Sequence, residues 1–277
     1  HNVPLELKYL PVIESALNAK AKSPVGASGL WQFMVGTGKI YGLEVNSMVD
    51  ERRDPRKASD AAARFLADLY KLYGDWHLVI AAYNCGPGNV AKALRIANGK
   101  RNFWEIYPYL PRETRSYVPL FIAANYIMNF YEEHNMCPAV PMFNYATDTV
   151  MISDRVHLQQ IAEKVGISLD ELKFLNPQYR YDIIPGNIKP YPLVVPFEHI
   201  NSYALNRDSI LAYKPELAKR EVKFEPSEGE VIYYKVKSGD TLGGIAKKYR
   251  VSVKSLQKWN KLSSTTIRIG QKIKIYK

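Results

Sequence analysis

Cysteine is scarce: the 277 residues contain only Cys85 and Cys137. That count excludes a disulfide-dense secreted scaffold and a tetrathiolate zinc site. Long apolar runs are also missing. The best candidate, Tyr117 to Met128, has 12 residues and contains Asn125, whereas a bilayer span needs roughly 18. The chain opens at His1 without a charged start and apolar stretch, so any export signal is expected to lie outside it. Acidic residues nearly vanish from the last segment. From Tyr233 onward, twelve Lys/Arg face Asp240 alone, so the net charge of +11 sits there and the first 232 residues are neutral. A basic module on a neutral body suits an anionic polymer, whether nucleic acid, membrane surface or wall polymer. A solvated face that keeps a small domain soluble is the equal alternative.

What is present fills a core. Apolar residues make up 47%, with 20 tyrosines and 4 tryptophans, so bulk disorder is excluded. The length predicts two or three domains. Up to about residue 140 the pattern is helical. From Asp54, apolar residues recur at Ala58, Ala61, Ala62, Phe65, Leu66, Leu69 and Leu72 with the helical period, and Asp54-Pro55 supplies a cap and first turn. Trp76 to Tyr83 predicts a short apolar helix stopped at Gly86-Pro87-Gly88, with another helix from Asn89 and a longer one over Glu113 to Glu132.

Beyond Cys137-Pro138 the texture shifts to short β-like runs. Residues 147–197 and 233–277 read as distant copies: a strand, a helix with Leu-x-x-Ile-Ala (Leu158, Ile161, Ala162; Leu242, Ile245, Ala246), a second helix opening with Ser and closing near Asn176 or Asn260, then a β run. A repeat of about 45 residues implies two small modules. The predicted domains are therefore 1–140, 141–199 and 231–277, with a polar linker over 200–230, partly helical around Ile210. The fold class is α+β multidomain, a mainly α domain followed by small βααβ modules.

Glu14-Ser15-Ala16 ends an apolar helical run (Leu7, Leu10, Val12, Ile13). A carboxylate there is desolvated, its neutral form favoured and its pKa raised, as a general acid near neutral pH requires. A solvated surface glutamate is the plain alternative. Ser23 to Gln32 is a turn with Gly26 and Gly29, from which Gln32 is expected to open a helix. Ala82-Tyr83-Asn84-Cys85-Gly86 sets two hydrogen-bonding side chains beside a glycine turn. Trp31, Phe33 and Trp76 are assigned to the core.

Glu14-Ser15, Gly29-Leu30-Trp31-Gln32, Ala82-Tyr83-Asn84 and Glu113-Thr114-Arg115-Ser116-Tyr117 stand in order. Together they resemble the soluble lytic transglycosylase domain of glycoside hydrolase family 23. Four ordered motifs are specific where one would be weak. The resemblance implies a lysozyme-like α fold that cleaves the MurNAc–GlcNAc β-1,4 bond of peptidoglycan. It makes Glu14 the sole catalytic carboxylate, puts Ser15, Gln32, Tyr83 and Asn84 along the saccharide cleft, and sets Tyr117 against the acid. Ordinary glycosidases need two carboxylates. One suffices if the substrate supplies the nucleophile, so that the MurNAc 6-hydroxyl closes a 1,6-anhydro ring. Tyr117 as a core aromatic and Gln32 as a cap partner remain the structural alternatives.

Residues 233–277 resemble a LysM module: Tyr234-Lys-Val-Lys-Ser-Gly-Asp-Thr-Leu242, Ile245-Ala246, Trp259-Asn260 and Ile269-Gly-Gln-x-Ile273. The resemblance implies a glycan groove formed by Gly239, Asp240, Thr241, Leu242 and Ile269, while Asp240 and Thr241 serve equally as a helix cap. The copy at 147–197 lacks Gly-Asp-Thr, with Ser153-Asp154-Arg155-Val156 standing there instead, and resembles a degenerate LysM.

The expected partner is the glycan strand of peptidoglycan, outside the cytoplasm: the periplasm or cell envelope of a Gram-negative bacterium, open to outer-membrane association through an anchor outside this chain. A monomer is expected, with no cofactor, metal or nucleic-acid partner; no RNP-like or helix-turn-helix signature occurs. An oxidising compartment leaves a Cys85–Cys137 disulfide open. The rival functions are a hydrolytic muramidase on the same fold and a non-catalytic wall-binding protein. A Cys/His peptidase lacks a motif around Cys85.

Overall fold

The computed structural model describes residues 1–140, 146–219, 222, 231–249 and 251–276. The first unit is helical: α1 (Leu10–Ser15), α2 (Val35–Ile40), α3 (Pro55–Tyr73), α4 (Trp76–Cys85), α5 (Pro87–Ile96), α6 (Phe103–Ile106) and α7 (Arg112–Asn129). Asp54 caps α3 by accepting from the Arg56 and Lys57 amides, and Asp75 caps α4 by accepting from Leu78. Between them Gly74 ends α3 in the left-handed region. α4 is buried from Leu78 to Ala82. With α3, α5 and α7 packed around it, its C-terminal end becomes the floor on which the site is built.

The second unit contains β1 (Thr147–Ile152), β2 (Arg155–His157), α8 (Leu158–Val165), α9 (Leu169–Leu175), β3 (Ile183–Pro185) and β4 (Tyr191–Pro196). β1 pairs antiparallel with β4, Thr147 opposite Pro196 and Ile152 opposite Tyr191, and β2 pairs with β3. The linker expected from residue 200 does not begin there. α10 (Ile200–Leu205) and α11 (Arg207–Ala212) bury Tyr203 and Ile210 in the core of this unit. The buried Gln160 holds them, donating from Nε2 to the carbonyls of Ile210 (2.9 Å) and Tyr213. A polar composition hid an amphipathic pair. The same core also takes in Met48 and Val49 from the helical unit.

The third unit is a βααβ module: β5 (Val231–Lys235), α12 (Leu242–Tyr249), α13 (Val253–Asn260) and β6 (Lys272–Tyr276), with Tyr234 opposite Ile273. Its core is its own, built on Val236, Leu242, Ile245, Leu256, Ile273 and Ile275. One device recurs in both modules. The Asn176 amide brackets Val194, donating to its carbonyl at 2.7 Å and accepting from its amide at 2.8 Å. Asn260 does the same to Lys274, at 2.7 Å each way. In each module this ties the end of the second helix to the last strand.

Candidate active site

Three elements converge. α1 ends at Glu14-Ser15, α4 ends at Tyr83-Asn84, and α7 carries Tyr117 on a turn that also buries Thr114. The Tyr117 hydroxyl donates to Glu14 Oε1. Burial of Glu14 lifts its pKa from 4.5 to about 7, against the Tyr117 hydrogen bond, which lowers it; the charge of Glu113 raises it further. A carboxyl poised there is half protonated at neutral pH, as a proton donor must be. Tyr117 itself is pushed well above 10, first by burial and then by the Glu14 charge, so it stays a donor.

The other predicted residues tie the neighbouring elements together. The Ser15 hydroxyl donates to the Leu30 carbonyl at 2.9 Å, fastening the end of α1 to the Gly29–Gln32 loop. Tyr83 donates to the Trp31 carbonyl at 2.7 Å, and its ring lies against Phe33 and Phe65. Asn84 Oδ1 accepts from Thr114 at 2.8 Å, tying α4 to α7. Gln32 does not open a helix. It sits in a turn at φ +46, its side chain donating to the Gly29 carbonyl at 2.8 Å, and α2 starts only at Val35. The fused turn wins because Gly29, at φ +87, presses the loop onto residue 52: a Cβ there would lie 1.7 Å from the Arg52 carbonyl oxygen. Trp31 and Phe33 are buried as expected, and Trp76 is partly so.

Glu113, which opens the last motif, also acts on the site, because its charge reaches Glu14. Its spacing of one helical turn from Tyr117 was the available signal. Arg52 was missed altogether. It is buried and donates from Nη1 to the carbonyls of Gly26 (2.8 Å) and Phe33 (2.9 Å), on either side of the Gly29–Gln32 loop.

Cys85 and Cys137 are free thiols. Cys85 is half-buried at the end of α4 while Cys137 is exposed beyond α7, so the disulfide left open by the sequence is not formed. Among the described residues no group of three or more His, Cys, Asp or Glu could hold a metal ion. A cavity of about 710 Å3 lies between the helical unit and the second unit, lined by residues including Leu17, Lys20, Leu30, Pro55, Phe174 and Pro192. None of Glu14, Gln32, Tyr83, Asn84 or Tyr117 lines it.

In the third unit, Thr241 caps α12 by accepting from the Gly244 amide at 3.0 Å. Asp240 instead braces the preceding turn, accepting from the Lys237 amide and the Tyr234 hydroxyl, each at 2.7 Å. The Leu242 side chain belongs to the module core, so only its backbone can line a groove, whereas Ile269 is exposed.

Comparison with known proteins identifies the parts of the chain. Residues 1–106 match the family model described as "Transglycosylase SLT domain", residues 146–212 that of "Lytic transglycosylase MltD, LysM-like domain", and residues 234–275 "LysM domain". The chain thus carries an SLT-type domain followed by two LysM-type modules. It is 34% identical over 99% of its length to membrane-bound lytic murein transglycosylase D of Escherichia coli K12, and spans 60% of that relative. The soluble lytic murein transglycosylase of the same organism is 37% identical over 40% of this chain and 18% of its own length. A solved structure, the 70 kDa soluble lytic transglycosylase of Escherichia coli, is 30% identical with a TM-score of 0.40, covering 47% of this chain and 22% of that one. The SLT domain accounts for α1 to α6, and the LysM-like match ends at residue 212, where α11 ends.

Proposed function

We propose that the chain is a peptidoglycan lytic transglycosylase that cleaves the MurNAc–GlcNAc β-1,4 bond and leaves a 1,6-anhydroMurNAc end. The observation that carries this reading is Glu14: a largely buried carboxyl with its pKa raised to about 7 and a tyrosine donor on one oxygen. Glu14 in its acid form protonates the departing glycosidic oxygen. The N-acetyl oxygen of the substrate stabilises the electron-poor anomeric carbon, and the 6-hydroxyl of the same sugar attacks it. The Glu14 carboxylate takes that hydroxyl's proton, so the acid is regenerated and no water is consumed. Tyr117 steadies the carboxylate form by hydrogen bonding and is never itself ionised. Ser15, Gln32, Tyr83 and Asn84 hold the cleft walls, with the Gly29–Gln32 loop facing the saccharide.

One observation favours a second reading, a hydrolytic muramidase. Glu113 is an exposed carboxylate whose field reaches Glu14, and two carboxylates are what water-using glycosidases need. Mass spectrometry of the digest decides. Transglycosylase products are one water lighter than hydrolytic ones, and the Glu113→Gln variant should keep most of its turnover with a pH limit shifted downward. Hydrated products, with a loss in Glu113→Gln as large as in Glu14→Gln, would establish the hydrolase instead.

The third unit is the wall-binding part of this reading. Its groove is formed by the Gly239–Thr241 turn and Ile269, and the basic surface strengthens its hold on anionic wall polymer. The relative named membrane-bound supports action at the cell envelope. Among the described residues no helix is long and apolar enough to cross a membrane.

A further inference from the structure

We propose that the LysM-like module is a positioning device for the Gly29–Gln32 loop, acting through Arg180, Asp50 and Arg52; the catalytic consequence rests on the transglycosylase reading. The module pairs with residues 48–50 of the SLT domain through backbone hydrogen bonds and an isolated antiparallel bridge. Arg180 donates its amide to the Met48 carbonyl (2.8 Å), Asp50 donates its amide to the Gln178 carbonyl (2.9 Å), and Val49 bridges Tyr179 antiparallel. Met48 and Val49 are thereby buried in the module's own core.

At the end of this segment Asp50 is completely buried. The Arg52 guanidinium binds it in a fork, Nε to Oδ1 and Nη2 to Oδ2 at 2.8 Å each, and Arg180 of the module reaches the same Oδ2 at 2.9 Å. A fork of this kind fixes the plane of the guanidinium. Burial pushes the Asp50 carboxyl up, but Arg52, then Arg180 and Arg53, hold it below the usual carboxylate range, so it remains charged.

The remaining nitrogen of that fixed plane, Nη1, donates to Gly26 and Phe33. The loop between those two carbonyls carries Gln32 in a left-handed conformation, which persists only where its surroundings over-determine it. Gly29 packs against the backbone of Arg52 itself. A continuous hydrogen-bonded line therefore runs from the module to both feet of the loop. In this role the module acts on the cleft without touching substrate, and Arg180 is a positioning residue.

The test uses the full chain with Arg180→Met and Arg180→Lys. Arg180→Met leaves Asp50 paired with Arg52 and the backbone pairing to residues 48–50 in place, and removes only the module's guanidinium from the relay. Turnover of soluble glycan fragments should fall about 10- to 100-fold, as small misplacements of cleft groups do, with the pH profile unchanged because Glu14 and Tyr117 lie on α1 and α7. Arg180→Lys should recover part of the loss. The loop is read independently by NMR through the indole N–H of Trp31, which donates to Ser59 at 2.9 Å and should shift in Arg180→Met. Unchanged turnover in both variants overturns the proposal, as does lowered turnover with an unmoved Trp31 signal. Should Arg180→Met not fold, Arg180→Lys carries the same two readouts. A wild-type chain that turned over no glycan would defeat the functional reading while leaving the Trp31 shift to judge the coupling.

Discussion

The two LysM-type modules share a plan and differ at one turn. Aligned on Leu-x-x-Ile-Ala, the LysM-like module has Gln159 and Gln160 where the C-terminal module has Gly243 and Gly244. Gln160 spends its amide on carbonyls of the α11 region, which buries that face of α8 under an extra helical pair. Gly243 and Gly244 have no side chain to recruit a cover, and both are exposed. The loop before the helix follows suit. In the LysM-like module Asp154 pairs with Arg207 of α11 at 3.2 Å, and a Cβ on Gly186 would lie 2.4 Å from the Asp154 carbonyl oxygen. The equivalent turn in the other module, Gly239 to Thr241, keeps an exposed edge. One fold thus yields a docked module joined to the helical unit and a self-contained one with an open face. The difference lies in whether its first helix carries groups that must be satisfied.

The largest expected effect separates both modules from the chemistry. Glu14→Gln removes the titrating proton and keeps the shape, so turnover should fall by about 10²–10⁴-fold, while pull-down by insoluble sacculi stays intact. A variant that lyses sacculi at near-normal rate would mean that the acid lies elsewhere.

The same residue gives a stability test with a definite sign. Its folded pKa of about 7 exceeds the ordinary 4.5, so the stability its acid form contributes is full below about 4.5 and lost as pH rises through 7. That loss is on the order of 3 kcal/mol. Glu14→Gln has no such loss, so it should melt above wild type at pH 8 and level with it at pH 4. Scanning calorimetry at the two pH values measures the gap, and a gap that closes at high pH contradicts the buried-carboxyl account.

Next comes the exchange of the diagnostic turn. Gln160→Ala strands two carbonyls and should cost about 1–3 kcal/mol, lowering the transition that the SLT domain and the LysM-like module share through Met48 and Val49. The C-terminal transition should not move. Gly244→Gln should change the stability of its own module by about 1 kcal/mol or less, since glycine is the poorer helix former. It should nevertheless weaken the binding of chitin oligomers by covering the open face. If Gly244→Gln binds normally, the groove does not use this face.

Much of this was legible in the sequence because it is local. Asp54-Pro55 marked the start of α3, the four motifs held Tyr117, which bonds Glu14, and the repeated Asn176 and Asn260 turned out to be the same bracket twice. What stayed hidden is long-range. Arg180 and Asp50 are 130 positions apart, and no periodicity announces that one will complete the other. Residues 200–212 read as linker because half of each short helix faces water and only Tyr203 and Ile210 are buried. Gln32 sounded like a helix start, but the close approach of Gly29 to Arg52 decided its turn, and that contact has no local signature.

The smallest effect tests whether the open module also holds the wall by charge. Its segment carries the whole excess of +11, and ten of its twelve cations lie among the described residues. A shallow groove for N-acetyl sugars needs no such excess, whereas the stem carboxylates of peptidoglycan would be drawn by it over roughly a screening length. Deleting 233–277 should leave the cleavage of soluble fragments unchanged, because Arg180 and the rest of the relay remain, and should weaken retention on sacculi. Raising salt from about 0.05 to 0.5 M shortens the screening length severalfold, so it should reproduce part of that loss in the intact chain. Chitin offers the N-acetyl groups without the carboxylates, and its binding should respond much less. Co-sedimentation with both polymers at the two salt levels gives the four numbers needed. Equal salt sensitivity on chitin and sacculi would show that the charge only keeps the module soluble, and the open face alone would then distinguish it from its docked copy.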